Sequence, residues 1–483
     1  MKILIVSFIF GFFCIFPLAS QTNSIIENEE FSSNIKVLEL WIDAQMEFRE
    51  LPGMSIGIIY DQELIYAKGF GYSNLEQKTS ATPQTVYRIA SITKTFTATA
   101  LMQLRDEGKL SLDDPIKKYL PWFSIKNSFP DAPEITIRQL ITHTSGLPRE
   151  AAFPYWTDRN FPSIEEIASA LPKQEMIYAS ETVYKYSNLG LALAGEIVSV
   201  VSGMPYDEYI KENIFDPLKM KSSRVFLSER EKSEIATPYT KRLSDGNREV
   251  MPFTNSKGLT PAANISSNVE DLSQYISLQF GNGKKEGTQI LKGSTLQEMH
   301  RVQWLHDSWT SGQGLGFRVW KQGDNTAVGH GGWVAGNRTQ ISFIPKEKVG
   351  VIVMTNSDDG SPNFFASRIL SQFTPILSKA FDEEKPSPEF DPSWKKFVGT
   401  YIDPSYYETE ILIYNNALVM SGFSFPPEDN PTSEIVVLTP EGENTFRRSG
   451  ENGNGELVIF ELDENDKVVK VKTGENYIFP KKQ

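Results

Sequence analysis

The sequence predicts an α/β (α+β) chain: one antiparallel sheet flanked by helices, with a helical insertion, followed by a small antiparallel β-barrel or sandwich. Three observations predict it. Within residues 35–379, β-rich runs lie at both ends and helical periodicity lies between them. A charged, proline-bearing stretch, SKAFDEEKPSPEFDPSW (378–394), then marks a linker. Beyond it, period-2 alternation with frequent turns runs to Gln483.

The bulk numbers set the frame. A chain of 483 residues is too long for one ordinary core, so one large and one small domain are expected. Hydrophobic content of 40% and charged content of 23% are those of a globular protein. A net charge of −13, with no basic run to offset it, argues against nucleic acid or an anionic membrane surface as partner.

The first residues, MKILIVSFIFGFFCIFPLASQTNS, carry Lys2 as a positive start, an apolar run from Ile3 to Phe16, and Leu18-Ala19-Ser20 before Gln21. This predicts a signal peptide over residues 1–20 and a secreted or periplasmic protein. The apolar run is short for a membrane span, and Pro17 ends it. Cys14 is the only cysteine, and Phe13 before it is too bulky for a lipoprotein signal, so no stable membrane anchor is expected. Disulfides, thiol catalysis and cysteine metal sites are excluded from the mature chain together.

The elements follow in order. Residues 21–34 read as a mobile leader, and Ile35, Leu38, Trp41, Ile42 and Met46 recur at helical spacing up to residue 49. MSIGIIY (54–60) and ELIYAKGFGYSN (63–74) are strands, and Asp61-Gln62 between them predicts a tight hairpin. A helix from Ser91 to about Glu107 stops at Gly108. Helices are expected at 187–203, 268–281 and 361–379, and strands at 314–320, 326–332, 339–345 and 349–356. The main domain is read as 35–379, the linker as 380–392 and the β-domain as 393–483. The short strands FVGTYI, ETEILIYNNALVM, SEIVVL, ELVIFEL, KVVKVKT and NYIFP carry the last of these.

Chemistry enters at RIASITKTFTATALMQLR (88–105). Ser91 and Lys94 share a helix face, where a lysine can take a proton from a serine hydroxyl. Ser-x-x-Lys is a weak signal, since it also occurs at Ser33/Lys36 and Ser393/Lys396. Context decides: Ser33 lies in the leader and Ser393 at the linker boundary, whereas Ser91 starts a long helix. Free N–H groups at a helix start favour a developing oxyanion. YKYSNLG (184–190) places Tyr186 and Asn188 just before a helix, and VGHGGWVAGN (328–337) places His330 and two glycines in a strand. Taken alone, each also has a plainer reading: a buried tyrosine with an N-cap, and a bulge beside an incidental histidine. A second Tyr-x-Asn, Tyr414/Asn416, falls in an expected hairpin turn. No Gly-x-Ser-x-Gly elbow occurs, and the histidines at 143, 300, 306 and 330 show no metal-ligand spacing.

Together and in this order, the three elements resemble the serine β-lactamase and penicillin-binding-protein superfamily. Its marks are Ser-x-x-Lys, Tyr-x-Asn or Ser-x-Asn, and Lys-Thr-Gly or a variant. The spacing is similar to the class C β-lactamases and related esterases, D-aminopeptidases and DD-peptidases. LITHTSGLP (140–148), IFDPLKMKSS (214–223) and PAANISSNVEDLSQY (261–275) extend the likeness over residues 35–379. The last ninety or so residues resemble the lipocalin-like β-domain of some members, such as certain self-compartmentalising serine peptidases.

The resemblance implies a β-lactamase/transpeptidase-like fold and an acyl-enzyme on Ser91, with neutral Lys94 or a Tyr186 phenolate as base. It implies that Tyr186 protonates the leaving group and that Asn188 donates to a substrate carbonyl or to Lys94. The oxyanion hole would be the N–H groups of Ser91 and Trp333, with His330 and Gly332 edging the site. No metal or other cofactor is called for, and His143 is expected to be structural. The chain departs from the β-lactamase pattern at His330-Gly331-Gly332. Histidine gives a weaker, pH-dependent charge than lysine, and Gly331 has no hydroxyl, so strong carboxylate recognition is doubtful. A peptidase, D-aminopeptidase-like amidase or esterase is therefore favoured over a β-lactamase. Two other classes compete: a penicillin-binding sensor that acylates without turnover, and a pseudoenzyme whose β-domain acts in adhesion or assembly. The β-domain's edge strands would also permit a homo-oligomer.

Overall fold

The computed structural model describes residues 29–281, 289–383, 391–414, 416–421, 435–450 and 453–481. The expected signal peptide lies outside the described residues. Asp61 and Gln62, at φ 39° and 75°, close the hairpin between β1 (Gly53–Tyr60) and β2 (Glu63–Asn74). Positive φ at both turn residues matches strand twist, which is why a two-residue loop suffices. β3 is Thr79–Ser80; β4 (Tyr87–Arg88) and β5 (Ser266–Ser267) pair separately. From the far end come β6 (Trp304–Leu305), β7 (Ser311–Gln313), β8 (Arg318–Gln322), β9 (Asn325–Val334), β10 (Asn337–Ile344) and β11 (Val349–Thr355). They complete a nine-stranded sheet in the order β3-β2-β1-β11-β10-β9-β8-β7-β6. Its two ends meet where β1 pairs antiparallel with β11, Met54 opposite Thr355.

β1 and β11 are buried along their whole length, so both faces of the sheet are covered. On one face Ile56, Ile58, Val351 and Val353 pack with helices Glu29–Arg49 and Pro362–Glu383, through Leu38, Ile42, Phe365 and Phe373. On the other, Ile352 packs with helices Thr93–Asp106 and Val269–Gln279. Each such side chain contributes about 1.5–3 kcal/mol by leaving water.

The expected fold class is borne out, with local corrections. The first helix starts at Glu29, not Ile35, because Phe31 is buried and meets the Phe373 ring at 5.7 Å. Ser33 is therefore on a helix rather than in a leader. Residues 314–317 are a turn, not a strand: Gly316 has φ 80°, Leu315 N donates to Met299 O and Gly316 N to Ile141 O. The last helix of the sheet unit runs to Glu383, into the expected linker.

Contacts divide the chain into two units, one ending at Ala380 and the other starting at Phe381. In the second, a 3-10 turn (Pro392–Phe397) carries Ser393, whose N–H donates to Asp391, and Lys396, which pairs with Asp466. Eight strands follow: β12 (Gly399–Ile402), β13 (Glu408–Tyr414), β14 (Ala417–Ser421), β15 (Ile435–Gly442), β16 (Thr445–Ser449), β17 (Leu457–Leu462), β18 (Val468–Thr473) and β19 (Asn476–Pro480). Pairing of Tyr401 with Pro480 closes them into a barrel. Its interior is filled by side chains: Phe397 stacks on Phe460 at 4.2 Å, with Phe446, Leu438 and Val471 around them. Asn416, at φ 61°, turns the β13–β14 hairpin, so the second Tyr-x-Asn is structural.

Candidate active site

The turn that carries Ser91 is pinned before the helix begins. Arg88 pairs with Ser266 across β4–β5, and Ile89 N donates to Ile265 O at 2.9 Å. Ala90 then takes φ 48°, an uncommon conformation for a residue with a Cβ, and opens the 3-10 turn Ala90–Ile92. That turn leads straight into the helix Thr93–Asp106, which is buried from Thr93 to Leu104. Lys94 lies one turn after Ser91, fully buried, with Nζ 3.0 Å from Ser91 Oγ and donating to Ala262 O at 2.8 Å. Burial holds its amine well below the usual lysine range; nearby Glu150 opposes the shift and Arg149 adds to it.

Tyr186 reaches the same oxygen, donating its hydroxyl to Ser91 Oγ at 2.9 Å. Ser187 caps the following helix, Asn188–Ser202, by accepting from Gly190 N, and this fixes the segment. His143, at φ 59°, supports it from behind: its Nδ1 accepts from Ser187 N at 3.2 Å, and its ring lies 4.4 Å from that of Tyr186. Burial makes this imidazole hard to protonate, and the nearby Arg149 charge adds to the effect, so it stays an acceptor. Lys94 Nζ and the Arg149 guanidinium each lie 4.9 Å from the Tyr186 ring. Burial nevertheless raises the phenol above its usual range, outweighing the hydrogen bond to Ser91. Burial thus works against a Tyr186 phenolate and in favour of an uncharged Lys94 amine.

β9 lines the far wall. Gly332 packs so tightly that an added Cβ would lie 2.1 Å from Ile89 O, which sets the Trp333 peptide beside the Ala90–Ser91 turn. His330 is buried, and its Nδ1 lies 2.7 Å from Gly331 O. Burial pushes its pKa down to about 3. The expected pH-dependent charge there is corrected: the ring is neutral at physiological pH. Asn188 also departs from expectation, since its Nδ2 donates to Glu150 Oε1 at 2.8 Å rather than to Lys94.

All seven expected residues except Lys94, which stands beneath Ser91, line one cleft of about 850 Å³. The structure adds residues that no motif marked. Arg318 lies opposite Gly329 in the β8–β9 register, faces the cleft and forms no ion pair among the described residues. Arg149 overlies Tyr186, and Trp156 and Trp333 stack at the rim with centroids 6.0 Å apart. Arg318 could have been suspected only from strand register, and Arg149 only from its place after LITHTSGLP.

The chain is similar to known proteins in sequence and in fold. A family model described as Beta-lactamase matches residues 38–371. Beta-lactamase-like protein 2 of Dictyostelium discoideum is 29% identical over 443 residues, covering 84% of this chain and 79% of that protein. Protein flp of Staphylococcus aureus (strain MW2) is 27% identical over 320 residues, covering 65% of this chain; the chain spans only 61% of flp's length. Among solved structures, the octameric penicillin-binding protein homologue from Pyrococcus abyssi superposes with a TM-score of 0.63 at 28% identity, covering 92% of this chain and 99% of that one.

Proposed function

Because this chain belongs to the beta-lactamase family, as a serine hydrolase of that superfamily, we propose that it is exported and cleaves amide or ester bonds through an acyl-enzyme on Ser91. What supports the reading is one observation: Lys94 Nζ and the Tyr186 hydroxyl converge on Ser91 Oγ at 3.0 and 2.9 Å. Ser91 Oγ attacks the carbonyl carbon as its proton passes to the neutral Lys94 amine. The N–H groups of Ser91 and Trp333 receive the oxyanion. When the tetrahedral intermediate collapses, the Tyr186 hydroxyl gives its proton to the leaving group and recovers one from Lys94 through the vacated site. Water then repeats the sequence on the ester, with Lys94 and Tyr186 drawing off its proton.

A neutral His330 favours amidase, peptidase or esterase chemistry over β-lactam hydrolysis, since it offers a carboxylate no charge. Any anionic end of the substrate would instead meet Arg318. The test is a panel of p-nitrophenyl esters, D-aminoacyl anilides, a D-Ala-D-Ala peptide and a chromogenic cephalosporin. Ser91→Ala is expected to lose at least about 1,000-fold in kcat/KM on every substrate that wild type cleaves; full activity in that variant on any of them ends the assignment.

Assembly is a second part of the reading. The Pyrococcus homologue is octameric and the match covers nearly all of both chains, which is the ground for reading this chain as a homo-oligomer; that its C-terminal barrel mediates assembly is part of the proposal. Light scattering on the full chain should give a multiple of the monomer mass, and removal of residues 393–483 should lower it. A wild-type monomer at micromolar concentration rejects this part alone.

A further inference from the structure

We propose that Glu150 is a positioning residue that turns the Asn188 amide so that its carbonyl oxygen faces the cleft, and that the site therefore selects substrates with an N–H donor beside the scissile carbonyl. The inference rests on the acyl-enzyme reading above and names a substrate class for it.

Glu150 stands behind Asn188. Its Oε1 accepts from Asn188 Nδ2 at 2.8 Å and from Arg149 Nε at 3.1 Å, and its Oε2 accepts from the Tyr155 hydroxyl. The backbones are tied as well. Asn188 N and Leu189 N both donate to Arg149 O, and Gln174 Nε2 donates to Glu150 O at 3.1 Å. A carboxylate that already holds a guanidinium N–H and a phenol O–H offers only lone pairs, so the amide edge facing it is the NH2 edge. This fixes the assignment of the two amide atoms, which packing alone would leave open.

The other edge follows. Asn188 lines the cleft with Ser91 and Tyr186. Its Oδ1 has no hydrogen-bond partner among the described residues, and it is not among the side-chain atoms sealed from solvent without one. Lys94 does not take it up, because its amine is directed to Ser91 Oγ and Ala262 O. Through Oδ1 this side chain thus offers the cleft an acceptor, whose complement is an N–H. An amide-bearing acyl group satisfies it. An N-alkylated one strands it in a partly desolvated site, at a cost of about tenfold in rate.

The experiment compares the p-nitrophenyl esters of N-acetylglycine and N-acetylsarcosine, which differ by one methyl on nitrogen, with the Ser91→Ala background subtracted. Wild type is expected to favour the N–H ester by about tenfold in kcat/KM. Glu150→Gln keeps the volume but lets its amide N–H meet Asn188 Oδ1, so Asn188 can turn its own NH2 to the cleft. The ratio should then fall to within about threefold of unity. Glu150→Ala should do the same if it folds; Glu150→Gln carries the test if it does not. A merely structural role for Glu150 would lower both esters together and leave the ratio unchanged, which overturns the proposal, as does a wild-type ratio near one. If Ser91→Ala hydrolyses both esters as fast as wild type, the acyl-enzyme reading falls and takes the inference with it.

Discussion

Lys94→Met is expected to lower kcat/KM by about 10,000-fold on whichever substrate wild type turns over, and to raise the midpoint of thermal unfolding. Both effects come from one group. The amine is buried against Ser91, so the fold holds it well below the usual lysine range, with burial the largest cause. Unprotonated, it would serve the proposed mechanism as a base 3.0 Å from the Ser91 hydroxyl. Methionine fills similar space and cannot accept a proton. The stability sign follows from proton counting. In the unfolded chain the lysine is charged up to its ordinary pKa of 10.5, while in the fold it is neutral over much of that range. The unfolded state therefore binds more protons, and wild-type stability rises with pH. Lys94→Met removes that dependence, so its advantage over wild type should be larger at pH 6 than at pH 9. Loss of the hydrogen bond to Ala262 O offsets part of the gain. A variant that keeps activity within tenfold of wild type would show that another group is the base.

The parts of this molecule that were legible in its sequence are those whose signal is local. Ser91 and Lys94 are neighbours on a helix, and one turn of spacing makes the pair visible. Asp61-Gln62 between two β-rich runs announces a hairpin by turn chemistry alone. Tyr186 and His330 needed more, since each has an ordinary structural reading and only their order beside Ser91 distinguished them. Groups placed by tertiary geometry stayed hidden. Arg318 faces the cleft because β8 and β9 register it against Gly329, and Glu150 matters because a helix start 38 residues on returns Asn188 to it. Charge states were equally out of reach, because the neutrality of His330 comes from burial that no motif encodes. In the barrel, β16 (TFRRS) was missed: its two arginines break the apolar alternation, and only Phe446 turns into the core. Alternation is also the same in a sandwich and a barrel, and the Tyr401–Pro480 pairing that distinguishes them joins the two ends of the unit.

Gly332→Ala should inactivate the protein by about 100-fold or more and destabilise it by about 1–3 kcal/mol, whereas Gly331→Ala, one residue away, should cost less than about tenfold in rate. The contrast separates a packing constraint from a general intolerance of side chains on β9. A Cβ at Gly332 would lie 2.1 Å from Ile89 O and 2.4 Å from Thr339 Oγ1. Ile89 O cannot yield freely, because it accepts from Thr339 Oγ1 at 3.1 Å and from Ile92 N at 3.2 Å, the bond that winds the turn carrying Ser91. Displacing that carbonyl moves the nucleophile away from both Lys94 and Tyr186 and widens the gap to the Trp333 N–H. At Gly331 the nearest obstacle is Gln340 Oε1 at 2.8 Å, the end of a side chain rather than backbone, so relief costs at most the Gln340 Nε2 bonds to Ile341 O and Ser342 Oγ. Urea melts and kcat/KM of both variants on one substrate decide the matter. Equal losses at the two positions would mean that β9 tolerates no side chain facing the cleft, and that the approach of Gly332 to Ile89 is not what holds Ser91 in place.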